Sequence, residues 1–321
     1  MGFGRNSHVG WVQETTWGTL ITPPTKFAEM VSEAVKSIRK REARPVVNNI
    51  DDPDDSMYDA LFKTEGEFTI ELSYIGLLRL WEHLFGDGQS AGASQDTGAR
   101  FIYTLVPKDW PVSGKGLTLY VRNDVDPERQ YPGCKITGVT ISITPDKRVL
   151  ATFRVVGKGD VNVVSANTPT FPAYAQLAGG NQTVVKIDTV ARDCESVEII
   201  YNNSVDGERR GVGAKTILEP IQGSDRRMVS GTLTLAVAAG ADLTKYTAGT
   251  LFRLDVEMTG AVLGTANWNT NLSFLKCLIT DDPYHVENAG VVKSVIPFKA
   301  LKPVGGAVVT VVINTSESTI A

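Results

Sequence analysis

Hydrophobic and polar residues alternate with a period of two along most of the chain, which predicts β-strands. In the first half, β-branched and aromatic residues follow this pattern over 68–72, 101–105, 117–121, 139–143 and 151–155. In the second half it covers 184–187, 196–201, 232–237, 252–256, 291–298 and 307–313. Many short strands separated by turn residues are typical of antiparallel β-sandwiches, so the chain is predicted to be mainly β.

Two segments break the strand pattern and predict short helices. Residues 75–85 are apolar on one broad face and end at the glycines of 86–88, which stop a helix. A shorter helical stretch covers 242–249. Each half of the chain therefore contains one short helix, and Trp81 and Phe85 of the first helix are expected in the core.

The two halves repeat one order of elements. Each half runs through a strand, a long polar loop, a second strand, a short helix and a closing segment. In the first half the strands are 33–38 and 66–72 and the closing segment is 133–159. In the second half the strands are 195–200 and 231–235 and the closing segment is 276–301. Cys134 and Cys277 occupy matching places in the two closing segments. Such a repeat favours a component of a ring or an array over a single active site.

The repeat and a proline-rich stretch after residue 164 predict two domains. Residues 165–175 contain prolines and small polar residues, a composition typical of linkers. We predict one antiparallel β-sandwich/barrel domain over 1–164, with an N-terminal arm, and a second over 176–321. Polar segments at 48–59 and 207–227 are predicted as long loops between strands, and 89–98 as an exposed loop.

Composition and charge restrict the possible functions. The chain has 321 residues and a formal net charge of −4, which gives no overall attraction to phosphate backbones or anionic membranes. The start of the chain is not that of a secretory signal, and no apolar run is long enough for a membrane span, so a cytosolic product without a membrane partner is expected. Three cysteines without CxxC spacing favour reduced thiols.

Catalytic and metal-binding motifs are not found in the sequence. His8, His83 and His285 lie far apart without the spacing of a metal site, and Cys277 lies in an apolar strand. The glycines of 114–116 and 211–213 lack the strand-to-helix context of a phosphate loop. We therefore expect no enzyme activity, no catalytic residue, no metal and no cofactor.

Several segments resemble the tail tube proteins of long-tailed, siphovirus-type bacteriophages. The opening His-Val-Gly-Trp-Val-Gln-Glu-Thr-Thr-Trp-Gly-Thr at 8–19 is similar to the start of that family. The similarity continues through Gly-Cys-Lys-Ile-Thr-Gly-Val-Thr-Ile-Ser at 133–142, Glu-Arg-Arg-Gly at 208–211 and Ile-Pro-Phe-Lys-Ala-Leu at 296–301. It covers nearly the whole chain in the family's order.

The resemblance implies a structural virion protein, made in the host cytoplasm and assembled into the phage tail. Members of the family stack rings of β-sandwich subunits into a hollow tube, which holds a tape measure protein and later conducts double-stranded DNA without sequence-specific binding. Tail terminator and tail tip proteins close the tube. Because six tube-type domains commonly form a ring, a chain with two of them favours a trimeric, pseudo-hexameric ring, although a hexamer is possible.

Two charged loops are candidate functional segments. Asp51, Asp52, Asp54 and Asp55 form an acidic run that is a candidate lumen-facing loop, since a basic wall would hold DNA by its phosphates. A solvated loop is the equally supported alternative. A contact between rings is the hypothesis for the second loop, with an exposed mixed-charge loop as the alternative; its charged residues are Glu208, Arg209, Arg210 and Lys215.

Aromatic residues of the N-terminal arm are candidate contacts with a neighbouring subunit. Trp11, Trp17 and Phe27 could act as interface anchors or pack on their own domain.

Two other functions stay open. A capsid or tail decoration or receptor-binding module would be a β-rich binding protein, and the inner tube of a contractile tail would need a sheath partner.

Overall fold

Twenty-one strands and two α-helices make up the described part of the chain, and the period-two pattern is the reason for most of them. The computed structural model describes residues 7–43, 57–87, 89, 92–108, 112–124, 127–159, 162–164, 167–236, 240–285 and 293–320. The predicted mainly β fold is confirmed. The strands of the first half are β1 (His8–Gln13), β2 (Lys26–Glu33), β3 (Lys36–Ala43), β4 (Met57–Glu71), β5 (Ala93–Gln95), β6 (Arg100–Leu105), β7 (Leu117–Arg122), β8 (Glu128–Ile143), β9 (Leu150–Gly157) and β10 (Asn162–Val164).

The second half contributes eleven strands, and each half contains one helix. These strands are β11 (Thr183–Ile187), β12 (Val190–Arg192), β13 (Cys194–Asn202), β14 (Val205–Asp206), β15 (Ile221–Gln222), β16 (Met228–Leu235), β17 (Phe252–Leu263), β18 (Ala266–Ile279), β19 (Tyr284–His285), β20 (Lys293–Ala300) and β21 (Thr310–Thr315). The helices are α1 (Leu78–Phe85) and α2 (Gly240–Ala248). Both lie where the sequence predicts a helix.

One continuous sheet contains the internal repeat. Its hydrogen-bonded order is β3-β4-β9-β8 followed by β13-β16-β20 and then β18 with β19, all antiparallel. The first four strands come from the first half and the others from the second half in the same sequence of roles. We call this the tandem sheet. Its two halves join where β8 pairs with β13.

A second layer covers one face of the tandem sheet. It has the order β12-β11-β17-β18-β21-β6-β5, and β18 belongs to both layers. The pairing of β6 with β21 is a second connection between the halves. A single buried hydrophobic cluster runs through both halves, so burial of apolar area stabilises them together. The division into two domains stays a prediction.

Helix α1 lies inside the core rather than on the surface. Trp81 and Phe85 are 2% and 1% exposed, as predicted. The Trp81 ring meets Phe153 of β9 edge to face, and the Phe85 ring meets Tyr201 of β13 in the same way. The helix therefore packs against strands of both halves.

The predicted strand at 33–38 is broken into two strands in the structure. β2 ends at Glu33 and β3 begins at Lys36, while Val35 turns into the core. Gly66 explains the break, because it has a φ of 145° and a Cβ there would lie 2.2 Å from the carbonyl oxygen of Ala34. The close approach bends the chain between the two strands.

Two other boundaries also differ from the sequence prediction. The predicted loop at 89–98 contains the short strand β5, which pairs with β6. The last strand extends to Thr315, and the tail after it is attached to the first half. There Glu317 accepts a hydrogen bond from the Gly76 backbone N–H at 2.8 Å and pairs with Lys26. Period-two patterns do not report such long-range contacts.

Candidate functional site

The tandem sheet has one buried face and one polar face, and the polar face lies on the side away from the second layer. Alternation along β4 and β9 puts Phe68 and Phe153 in the core and Thr69 and Thr152 on the open face. The two threonine hydroxyls lie 2.9 Å apart, and Thr140 of β8 continues the same row. The open face is therefore a hydroxyl-rich surface that extends over both halves of the chain.

The open face carries charges of both signs. By strand register its acidic side chains include Glu65, Glu67, Glu71 and Glu198, and its basic side chains include Lys36, Lys40, Lys63, Arg154, Lys293 and Lys299. Acidic side chains lie among the basic ones, with Glu65 opposite Lys36, and they weaken the attraction of this surface for a polyanion.

The loop at 207–227 lies across one end of this open face. Its backbone bonds to β4, where the Phe62 N–H donates to the carbonyl of Lys215 at 2.8 Å. Under the loop, Ile217 packs with Leu61 and Val156 in a small buried cluster of its own. The loop of the second half is thus docked on strands of the first half.

Two ion pairs of different burial hold this loop. Lys135, with a side chain only 1% exposed, pairs with Glu219 at 2.8 Å, and its ammonium also donates to the carbonyls of Val112 and Lys115. Burial lowers the pKa of Lys135, while the hydrogen bond to Glu219 opposes that shift. The second pair is Lys63 with Glu208, where the carboxylate side chain is 61% exposed. The buried pair should contribute more to holding the loop.

A polar groove of about 740 Å³ opens between this loop and the sheet. Glu65, Asp206 and Asp225 line it together with Arg154. Within the described residues, the buried Nε and Nη2 atoms of Arg154 have no hydrogen-bond partner. The groove can accept polar groups from another chain.

The charged residues predicted at this loop are partly brought together. All four are exposed on one loop, namely Glu208, Arg209, Arg210 and Lys215, and Glu208 pairs with Lys63. Their role between rings stays a prediction. The acidic run Asp51, Asp52, Asp54 and Asp55 lies outside the described residues, so its position relative to the open face also stays a prediction.

The predicted aromatic anchors contact their own chain. Trp11 is in β1, which pairs with β2 and β7, and its ring is fully buried. The Trp17 indole N–H donates to the Gly133 carbonyl at 2.9 Å. Phe27 is half-buried and meets the His8 ring at 5.5 Å. The segment predicted as an arm is therefore part of the fold, and contact of these rings with a neighbour stays a prediction.

Glu14 is a structural residue that the sequence analysis did not single out. Its carboxylate is buried and accepts hydrogen bonds from the Gly18 and Gly133 backbone N–H groups, both at 2.7 Å, and from the Thr118 hydroxyl at 2.9 Å. Burial raises its pKa, and these hydrogen bonds oppose the shift. Gly18 and Gly133 both belong to the segments that carry the family resemblance. The signal in the sequence that could have identified Glu14 is its position as an acidic residue inside the opening segment at 8–19.

Burial favours the neutral forms of two cysteine thiols and one histidine in the described core. Burial raises the pKa of Cys277 to about 12 and that of Cys134 well above its usual value, so both stay protonated thiols at neutral pH. The buried His83 has its pKa lowered well below the ordinary value, first by burial and then by nearby cations such as Lys135. Among the described residues there is no group of three or more His, Cys, Asp or Glu side chains that could hold a metal.

No helix in the described part of the chain is long and apolar enough to cross a membrane.

Comparison with known proteins gives one result for the whole chain. A family model described as "Phage tail tube protein" matches residues 4–300. The match spans both halves of the tandem sheet and the loop at 207–227. A search of curated proteins found no match.

Proposed function

The chain belongs to the phage tail tube protein family, and from that premise we propose that its copies assemble as rings that stack into the hollow tube of a non-contractile tail. A member of this family is a structural component of the virion. In our proposal the tube is the conduit for ejection of double-stranded DNA, and the chain has no enzymatic role. The observation that carries the proposal is the tandem sheet, which continues through both halves of the chain and has one open polar face.

The open face suits the wall of a DNA conduit. Duplex DNA carries about one negative charge per 1.7 Å of its axis, so a strongly basic wall would bind it and slow its passage. The open face is rich in hydroxyl groups and carries acidic side chains among its basic ones. Waters on such a surface can be exchanged as DNA moves, because neighbouring carboxylates weaken the hold of its cations on the phosphates. The acidic run Asp51, Asp52, Asp54 and Asp55 would make the lumen still less adhesive.

Head-to-tail contacts between copies would close the ring. A contact that repeats around an axis and is not two-fold symmetric forms a ring when the rotation closes. A chain with two repeats favours three copies in a pseudo-hexameric ring, with six copies as the alternative. Rings would then stack through exposed loops, and Glu208, Arg209, Arg210 and Lys215 are our candidates for that contact, with Trp11, Trp17 and Phe27 as candidate subunit contacts. A tape measure protein, tail terminator and tail tip proteins are the expected partners.

Electron microscopy of the purified protein in negative stain tests this function. At high concentration we expect rings or tubes with a stain-filled central hole and a regular axial spacing. Particles that stay single under all conditions, including addition of a tape measure protein, would contradict the proposal and favour a decoration or receptor-binding module. Tubes that bind a contractile sheath protein would favour the inner tube of a contractile tail.

A further inference from the structure

The two repeats of the tandem sheet can be aligned residue by residue from their strand registers. In β8 and β9, Ile136 pairs with Val155 and Ile141 with Ala151. In the second repeat, Ile279 pairs with Phe298 and Tyr284 with Ser294. Each residue of the second repeat follows its counterpart in the first repeat by the same number of positions. Cys277 follows Cys134 by that number as well. The end of β8 at 138–143 therefore corresponds to residues 281–286.

Two glycines align the first strands of the repeats. A Cβ at Gly231 would lie 2.2 Å from the carbonyl oxygen of Glu198, and a Cβ at Gly66 would lie 2.2 Å from that of Ala34. Both glycines lie in the second strand of their repeat and approach the strand before it. Glu198 therefore corresponds to Ala34. Residues 197–202 of β13 then correspond to 33–38, which run from the end of β2 through the break at Val35 to the first residues of β3.

The structure already contains one joint between repeats. The last strand of the first repeat pairs with the first strand of the second, with Ile141 opposite Ile199 and Gly138 opposite Asn202. Applying the two alignments to this joint pairs residues 281–284 with residues 35–38. It puts Asp281 opposite Ile38 and Asp282 opposite Ser37.

The outer edges at the two ends of the tandem sheet are unpaired in the described part of the chain. β3 pairs with β4 only, and β19 pairs with β20 only. Free edges of this kind offer backbone N–H and C=O groups that can pair with another strand. Before assembly, the Asp282 N–H donates to the Asp281 carboxylate at 2.8 Å and the Tyr284 N–H donates to the Asp282 carboxylate at 2.9 Å, so pairing at this edge exchanges these bonds for bonds to the second strand. One chain cannot join its own two edges, since they lie at opposite ends of the sheet. A second copy can.

Charges at the two edges are complementary. The β3 edge carries the exposed basic residues Lys36, Arg39 and Lys40, and the other edge carries the exposed Asp281 and Asp282. In the aligned register Asp281 lies diagonally between Lys36 and Lys40, on the face opposite Asp282 and Arg39. Diagonal neighbours across antiparallel strands are within reach of long side chains.

We propose that residues 281–284 of one copy pair antiparallel with residues 35–38 of the next copy, in the register of the β8–β13 joint. This inference rests on the proposed function and names the contact that closes the ring. The joint within the chain is apolar, with the buried residues Ile141 and Ile199. The joint between copies is ionic because both of its edges must stay soluble before assembly. Ionic edges also resist pairing with a second edge of the same sign.

Cysteine pairs test the register directly in the full chain. Ile38→Cys with Asp281→Cys, in a Cys194→Ser background, should form disulfides between copies under mild oxidation, seen as a ladder of linked chains on a non-reducing gel. The matched control is Ile38→Cys with Asp282→Cys, whose second cysteine faces the other side of the strand. It should link poorly. The size at which the ladder closes gives the number of copies per ring.

Charge reversal gives an independent measurement of the same contact. Asp281→Lys, and separately the pair Lys36→Glu with Lys40→Glu, should each abolish assembly in electron microscopy and sedimentation while leaving the circular dichroism spectrum unchanged. The combined triple variant should restore assembly. Restoration would distinguish a lost contact from a folding defect.

The outcomes separate this joint from the proposed function. Tubes without the predicted disulfides, and with no rescue by the triple variant, would overturn the joint and leave the tube function standing, since something else would then cover these edges. Disulfide-linked closed rings that never stack would support the joint and contradict the tube. If the unaltered chain forms no rings and the cysteine variant forms no disulfide links, both proposals are wrong.

Discussion

Removal of the Lys135 ammonium should release the loop at 207–227 from the body of the protein. The Lys135 side chain is 1% exposed and its partner Glu219 is 27% exposed, at a separation of 2.8 Å. Lys135→Met keeps the apolar length of the side chain but removes the donor to the Val112 and Lys115 carbonyls and the charged partner of Glu219, which keeps a hydrogen bond from the Gly114 backbone N–H at 2.8 Å. Breaking a buried ion pair costs about 3–5 kcal/mol. Because Glu219 can be partly solvated, we expect a loss near the lower end, about 3 kcal/mol.

Lys63→Met is the matched control, since Lys63 also ties this loop to the first half. Its partner Glu208 is 61% exposed, so solvent screens the pair and the expected loss is about 1 kcal/mol or less. Urea unfolding followed by tryptophan fluorescence measures both variants. With an m-value of about 3 kcal/mol/M, the Lys135 variant should shift the midpoint by about 1 M and the control by about a third of that or less.

Limited trypsin digestion reports on the loop itself. Arg209, Arg210 and Lys215 are exposed on it, and a loop freed at Glu219 should be cleaved there much faster than in the unaltered chain. The Lys63 variant should be cleaved only slightly faster. Equal midpoints for the two lysine variants, or unchanged cleavage in Lys135→Met, would refute the reasoning that burial of the pair fixes the loop.

Three further predictions follow from single sites. The pKa of Asp96 is lowered to about 2, first by hydrogen bonds from the Thr265 side chain and backbone and then by Arg100. Its contribution to stability is therefore complete above about pH 4 and is lost as the pH falls toward 2, so Asp96→Asn should lower the urea midpoint at pH 6 and have little effect near pH 2; equal effects at both values would contradict this. Gly231→Ala should lower the melting temperature by several degrees, because its Cβ would lie 2.2 Å from a backbone carbonyl oxygen, whereas Gly211→Ala has nothing within 4 Å and should be neutral. Cys277, fully buried with a pKa of about 12, should resist iodoacetamide at pH 8 in the native protein and react after unfolding in urea, as read by peptide mass spectrometry; fast native labelling would show that the thiol is accessible.

Local sequence patterns determined the strands, the helices and the order of the repeat. A side chain on a strand points to the opposite face from its neighbour, so alternation such as Phe68-Thr69-Ile70 directly encodes which face is buried. The helix near Trp81 follows from local periodicity in the same way, and the ordered set of segments that begins at 8–19 suggests the family that the comparison shows. Each of these signals lies within a few neighbouring residues.

Only the tertiary structure decided which strands are neighbours and where the loops attach. The pairing of β8 with β13, which makes one sheet of two repeats, joins strands with matching edges, and any β-strand offers the same backbone groups at its edge. Likewise the contact of Lys135 with Glu219 spans 84 residues, and no local pattern distinguishes these two side chains from exposed charges. The break at Val35 depends on Gly66 of another strand. Faces of strands are set by alternation along the chain, whereas edges and ion pairs are set by how distant segments pack, which the chain resolves only when the whole core forms.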